Sequence, residues 1–72
     1  GDTLIVDRSL EARNGSVVVA VVDGETTVKR LVYLNGRVFL QPENSKYKAI
    51  EILDSMSFEV WGVVIHAIHS LR

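Results

Sequence analysis

Lys29 is the residue in this sequence whose placement is hardest to explain as ordinary surface charge. It lies within Glu25 to Tyr33, a stretch bounded by Asp23-Gly24 and Asn35-Gly36 that reads as a strand. Alternation with period two groups Thr27, Lys29, Leu31 and Tyr33 on one face and Thr26, Val28, Arg30 and Val32 on the other. Whichever face meets the core, a cation falls within an apolar row. One solution lets one of Lys29 and Arg30 snorkel while the other points to water. The other buries Lys29 as a neutral amine. Holding a lysine neutral near pH 7 costs roughly 4–5 kcal/mol relative to water. A fold that meets this cost often obtains a general base able to activate a hydroxyl nucleophile. The pattern alone leaves both solutions open.

The remaining reactive residue types form no comparable arrangement. His66 and His69 share a face only on a helix; on a strand their odd separation sends them to opposite faces. Without cysteine or a third clustered ligand they do not define a metal site. His66 is expected to pack beside Val64 and Ile68, and His69 to meet solvent. The nine carboxylates are scattered over turns and strand edges, with none paired for acid–base work. Ser9, Ser16, Ser45, Ser55, Ser57 and Ser70 fall in turns or at strand ends, none in a nucleophile elbow. There is no glycine-rich phosphate loop, so no cofactor is implied.

The elements that must position Lys29 read as β almost throughout. Thr3 to Val6 is a short apolar strand. Ser9 is a candidate N-cap for one helical turn over Leu10, Glu11 and Ala12, closed by Asn14-Gly15. Ser16 to Val22 is apolar on both faces and β-branched, the pattern of a strand buried on both sides. With Glu25 to Tyr33 and Arg37 to Gln41 it forms a three-stranded antiparallel meander. Pro42 to Ser45 breaks the sheet, because proline cannot donate to a ladder. Lys48 to Leu53 alternates again, and Phe58 to Ile68 is a long final strand. On that strand, alternation sets Phe58, Val60, Val64, His66 and Ile68 opposite Trp61, Val63, Ile65 and Ala67. A strand so apolar on both faces predicts a two-fold interface with a second copy, with Trp61 as its anchor if the odd-numbered face is the outward one.

Seventy-two residues with a formal net charge of −1 allow one domain, residues 1–72, and no basic footprint for direct nucleic-acid binding. Basic residues and aromatics do not interleave into a base-stacking surface either. Absence of cysteine excludes a disulfide framework and a thiol nucleophile. The apolar run Val60 to Ile68 is about half of the roughly 20 residues a membrane span needs. No charged-then-apolar leader opens the sequence, so a soluble, intracellular domain is expected. Gly1-Asp2-Thr3 leads almost directly into a strand-like run without a methionine, as in a piece of a longer protein. At this size only roughly 60% of the unfolded surface is hidden, so a neighbouring segment or subunit is expected to complete the core.

The run GDTLIVDRSLEARNGSVVVAVVDGETTVKRL resembles the C-terminal domain of the LexA/UmuD family of self-cleaving SOS-response proteins. The segment LQPENSKYKAIEI resembles that family's Leu-x-Pro-x-Asn-Ser loop and following strand. The ending FEVWGVVIHAIHSLR is closer to the UmuD type, chiefly through Gly62 to His66. The likeness runs through essentially the whole chain.

That resemblance implies a mainly β fold, a highly curved antiparallel sheet, here lacking its first segment. It implies a serine–lysine dyad in which Lys29, within Thr27-Val28-Lys29-Arg30-Leu31, matches the general base. The nucleophilic serine belongs to a Ser-Gly-Asp-Ser-Met motif that precedes this family's Gly-Asp. The motif is absent here, and none of the six serines inherits its role. This chain should therefore be inactive, a C-terminal fragment truncated before the serine motif, although its parent family is a serine protease. The resemblance further implies a homodimer in the bacterial cytoplasm, self-cleavage on the RecA–ssDNA filament, and service to an error-prone translesion polymerase. A LexA-like or phage-type repressor, whose upstream domain binds DNA, is the alternative.

Overall fold

The computed structural model describes residues 3–44 and 46–68. They form one six-stranded antiparallel sheet of β1 (Thr3–Asp7), β2 (Val17–Val22), β3 (Glu25–Leu34), β4 (Arg37–Gln41), β5 (Ile50–Ile52) and β6 (Phe58–Ile68). Spatial order is β1-β6-β2-β3-β4-β5, so the expected meander β2-β3-β4 is present and the sheet is mainly β as anticipated. Its two tight turns follow from residue type. Asp23 and Asn35 take positive φ (48° and 52°), followed by Gly24 and Gly36 at 84° and 75°. Two successive positive-φ residues give the turn twist that suits the strands they join.

One face carries the core. Val18, Ala20, Leu31, Leu40 and Val63 are buried, with Val22, Val38, Ile52, Phe58 and Val60 packed against them. The opposite face of β2, Val17, Val19 and Val21, is only half-buried among the described residues. The expectation of a strand buried on both sides is met on one face only, because the sheet forms a single layer here.

β6 departs from its expected geometry in two ways. It is an interior strand, hydrogen-bonded to β1 and β2, rather than an edge. Its alternation is also broken twice. Val19 faces Gly62 while Ala20 faces Val60, leaving Trp61 as an extra residue. Ile5 faces His66 while Val6 faces Val64, leaving Ile65 as a second one. A β-bulge of this kind shifts side-chain parity by one. Val60 and Val63 therefore share the core face despite their odd separation, and the single-register grouping expected for this strand is wrong. Trp61 and Ile65 remain 41% and 52% exposed.

The helical turn expected after Ser9 is absent. Asp7 takes the capping role instead, accepting from both the Ser9 backbone N–H (2.8 Å) and the Ser9 hydroxyl (2.6 Å). Among the described residues no following backbone N–H donates to the Ser9 hydroxyl, so Ser9 caps no turn. These bonds hold the Asp7 carboxyl below the ordinary aspartate value of 3.8. The segment then crosses to β6, where Arg8 Nε donates to the Trp61 carbonyl oxygen (3.0 Å) and its guanidinium stacks 4.2 Å above the Trp61 ring.

β3 joins the two arms of the sheet. Residues 25–30 pair with β2 and residues 30–34 pair with β4, so the two ladders overlap only at Arg30. Among the described residues, no strand pairs with the other edge of Glu25 to Lys29.

Candidate active-site cleft around Lys29

Lys29 lies on the core face of β3. In an antiparallel ladder directly opposed residues point to the same side. Lys29 faces Val18, and Leu31, two residues on, is fully buried. Arg30 leaves the opposite face. The ambiguity between the two cations is thereby resolved with Lys29 inward.

Lys29 is half-buried rather than largely buried. It lines an open cavity of about 520 Å³ together with Val22, Glu25, Thr27, Leu40, Ile50 and Met56. Its Nζ donates to the Val28 carbonyl oxygen at 3.4 Å, a long bond at the limit of useful geometry. The stem is thus laid against the core while the head remains within reach of the cavity.

The cleft wall is built by local contacts. Asp23 Oδ1 accepts from the Ser57 backbone N–H (3.0 Å), and the Asp23 N–H donates to the Ser57 carbonyl oxygen (2.9 Å). This pair ties the β2–β3 turn to the start of β6. Met56 is held close by, its sulfur accepting from the Leu53 N–H at 3.3 Å. On the other arm, Arg37 forms a two-point pair with Glu51 (2.7 and 3.1 Å), which fixes the short strand β5 and with it Ile50.

Sequence reasoning singled out Lys29 and missed the residues that complete its surroundings. Thr27 was visible as its same-face neighbour. Leu40 is placed there by the Asn35-Gly36 hairpin, which sets it opposite Leu31, whereas the approach of Ile50 and Met56 has no signal in the sequence. The structure does not gather the other candidates. His66 is exposed opposite Ile5 instead of packing among apolar neighbours, because the bulge at Ile65 resets its face. His69 and Ser70 lie outside the described residues, as does Ser45. No group of three or more potential metal-binding side chains occurs among the described residues. The described residues contain no helix long and apolar enough to cross a membrane.

A sheet bearing a half-buried lysine beside a cleft fits a peptidase framework, and the sequence comparisons define it. Residues 1–65 match the family described as Peptidase S24-like, and the chain belongs to that family. Protein MucA of Salmonella typhimurium and Protein MucA of Escherichia coli are each 49% identical to it over 69 residues, covering 94% of this chain and 47% of the relative. The LexA repressor of Bordetella parapertussis is 43% identical over 70 residues, covering 97% of this chain and 32% of the repressor. The chain thus spans about half the length of the MucA relatives and a third of the repressor.

Proposed function

We propose that this chain is the C-terminal part of a UmuD-type SOS mutagenesis protein, with Lys29 as general base of a serine–lysine dyad whose serine lies upstream. The carrying observation is that Lys29, rather than Arg30, occupies the core face and lines the cleft. The 49% identity to MucA supports the type.

In this reading, neutral Lys29 accepts the serine hydroxyl proton as Oγ attacks the carbonyl carbon of the protein's own scissile bond. The resulting ammonium returns that proton to the leaving amine, and an acyl-serine forms. Water then attacks the acyl group, with Lys29 as base again, and releases the serine. The edge of Glu25 to Lys29, which pairs with no strand among the described residues, suits an extended segment that can add to the sheet by main-chain hydrogen bonds. Lys29 alone has no nucleophile to activate, so the 72-residue chain is inactive by itself.

The same reading assigns the uncut protein to the bacterial cytoplasm, its cleavage to the RecA–ssDNA filament, and the cut dimer to an error-prone polymerase. The 43% identity to a LexA repressor over 97% of the chain favours a second reading, the cleavage and dimerisation part of a repressor. The sequence upstream of Gly1 separates the two. A short arm carrying the Ser-Gly-Asp-Ser-Met motif supports the polymerase accessory. A helix-turn-helix domain there overturns it in favour of the repressor.

A further inference from the structure

Arg30, the residue after the lysine, sits where the two ladders of β3 overlap and leaves the face opposite the cleft. Its guanidinium grips both arms of the sheet from behind. Nη1 donates to the Gly15 carbonyl oxygen (2.7 Å), just before β2, and Nη2 pairs with Glu43 (3.1 Å), just after β4. Gly15 is itself fixed to β3, its N–H donating to the Leu31 carbonyl oxygen (2.7 Å), while the Leu31 N–H donates to the Ser16 carbonyl oxygen (2.8 Å).

The cleft lies on the other side of the same junction. Val22, Thr27 and Lys29 come from the β2–β3 arm, and Leu40 and Ile50 from the β4–β5 arm. The angle between the arms therefore sets the cleft's width. β3 is the only strand that pairs across both arms among the described residues, which makes the back-face contacts of Arg30 a brace on that angle.

We infer that Arg30, with Glu43 and the Gly15 carbonyl, is a positioning residue that holds the cleft closed enough to shelter Lys29. This rests on the proposed role of Lys29 only where cleavage is the readout. The ion pair is exposed, so it contributes little to global stability. Its effect is local, on the mutual placement of two arms that β3 joins on one side and the shared core packs together on the other.

The test is a competitive amine-acylation experiment on the chain and its variants, read residue by residue by mass spectrometry. Exposed Lys46 and Lys48 are the internal references. In Arg30→Gln the acylation rate of Lys29 relative to these references should rise roughly three-fold, the scale of one exposed charge-assisted contact. Glu43→Gln should give a smaller rise. Arg30→Lys, which keeps the charge but loses the planar two-armed fork, should fall between parent and Arg30→Gln. Thermal unfolding should be nearly unchanged throughout. An unchanged relative rate in Arg30→Gln, or a rise that appears only with a matching loss of stability, overturns the brace. In the longer protein carrying the upstream segment, Arg30→Gln should slow cleavage at constant fold. If Lys29→Ala still cleaves there, the base assignment fails, while the acylation result continues to decide the brace.

Discussion

Val18 and Lys29 face each other across the β2–β3 ladder, so a fully buried valine flanks a lysine whose stem borders the core. Their pairing makes the fit of the core and the placement of the candidate base one structural problem. Changes in the apolar floor should reach Lys29 without touching it.

Leu31 is the most direct handle on that floor, being fully buried two residues from Lys29. Leu31→Ala should destabilise the domain by about 2–5 kcal/mol, through lost transfer energy and the cavity left behind. A domain of this size has only roughly 4–10 kcal/mol of stability, so the variant should be largely unfolded in mild urea. Urea titration followed by circular dichroism measures this. A midpoint equal to the parent's contradicts the core assignment.

Gly62 stands in the bulge of β6, where a Cβ would come 2.5 Å from Val6 Cγ1. A stiff valine of β1 cannot yield cheaply. Gly62→Ala should cost roughly 1–3 kcal/mol by overpacking. Adding Val6→Ala should recover part of the loss, because it removes the obstructing methyl. A double variant no more stable than Gly62→Ala contradicts this packing.

Asp7 gives a pH dependence with a defined sign. The Ser9 hydroxyl and backbone N–H stabilise its ionised form and lower its pKa in the fold. The contribution is present above the unfolded value and is lost as pH falls below 3.8 through the folded value. Ser9→Ala removes one of the two bonds. NMR titration should then move the Asp7 midpoint up toward 3.8. An unmoved midpoint contradicts the hydroxyl bond.

Trp61 remains the proposed anchor of a two-fold interface, now for a revised reason. β6 is interior, so the expected unpaired edge does not exist there. The bulge instead turns a 41% exposed indole outward beside half-buried Val19 and Val21, with Arg8 over its ring. Sedimentation at several concentrations should show a discrete dimer that Trp61→Ala weakens by about 2 kcal/mol or more. A stable monomer contradicts the interface.

The strands were legible because Asp23-Gly24 and Asn35-Gly36 mark two hairpin turns and the segments between them alternate. The bulges were not. In Phe58 to Ile68 most positions are apolar, so a shift of parity at Ile65 leaves no mark, and the shift at Trp61 leaves only Gly62, an interior glycine of the kind that accompanies a bulge. Lys29 and Arg30 were legible as a pair, but which one turned inward depended on the pairing with Val18. The Ser9 turn was misjudged because Asp7, two residues earlier, was a stronger competitor for the local hydrogen bonds. The far wall of the cleft was illegible, since no local pattern fixes where Ile50 and Met56 pack, whereas Leu40 follows from the Asn35-Gly36 hairpin register opposite Leu31.

The central claim is that Lys29 is the base of a self-cleavage reaction whose serine lies outside these 72 residues. Its most direct test is intact-mass measurement after incubation at alkaline pH, on the chain alone and on the longer protein carrying its upstream segment. The chain alone should keep its mass, and the longer protein should be cut. Lys29→Ala should slow that cut by at least about 100-fold, the scale of a lost general base. Cleavage of the longer protein at the parental rate with Lys29→Ala would contradict the account.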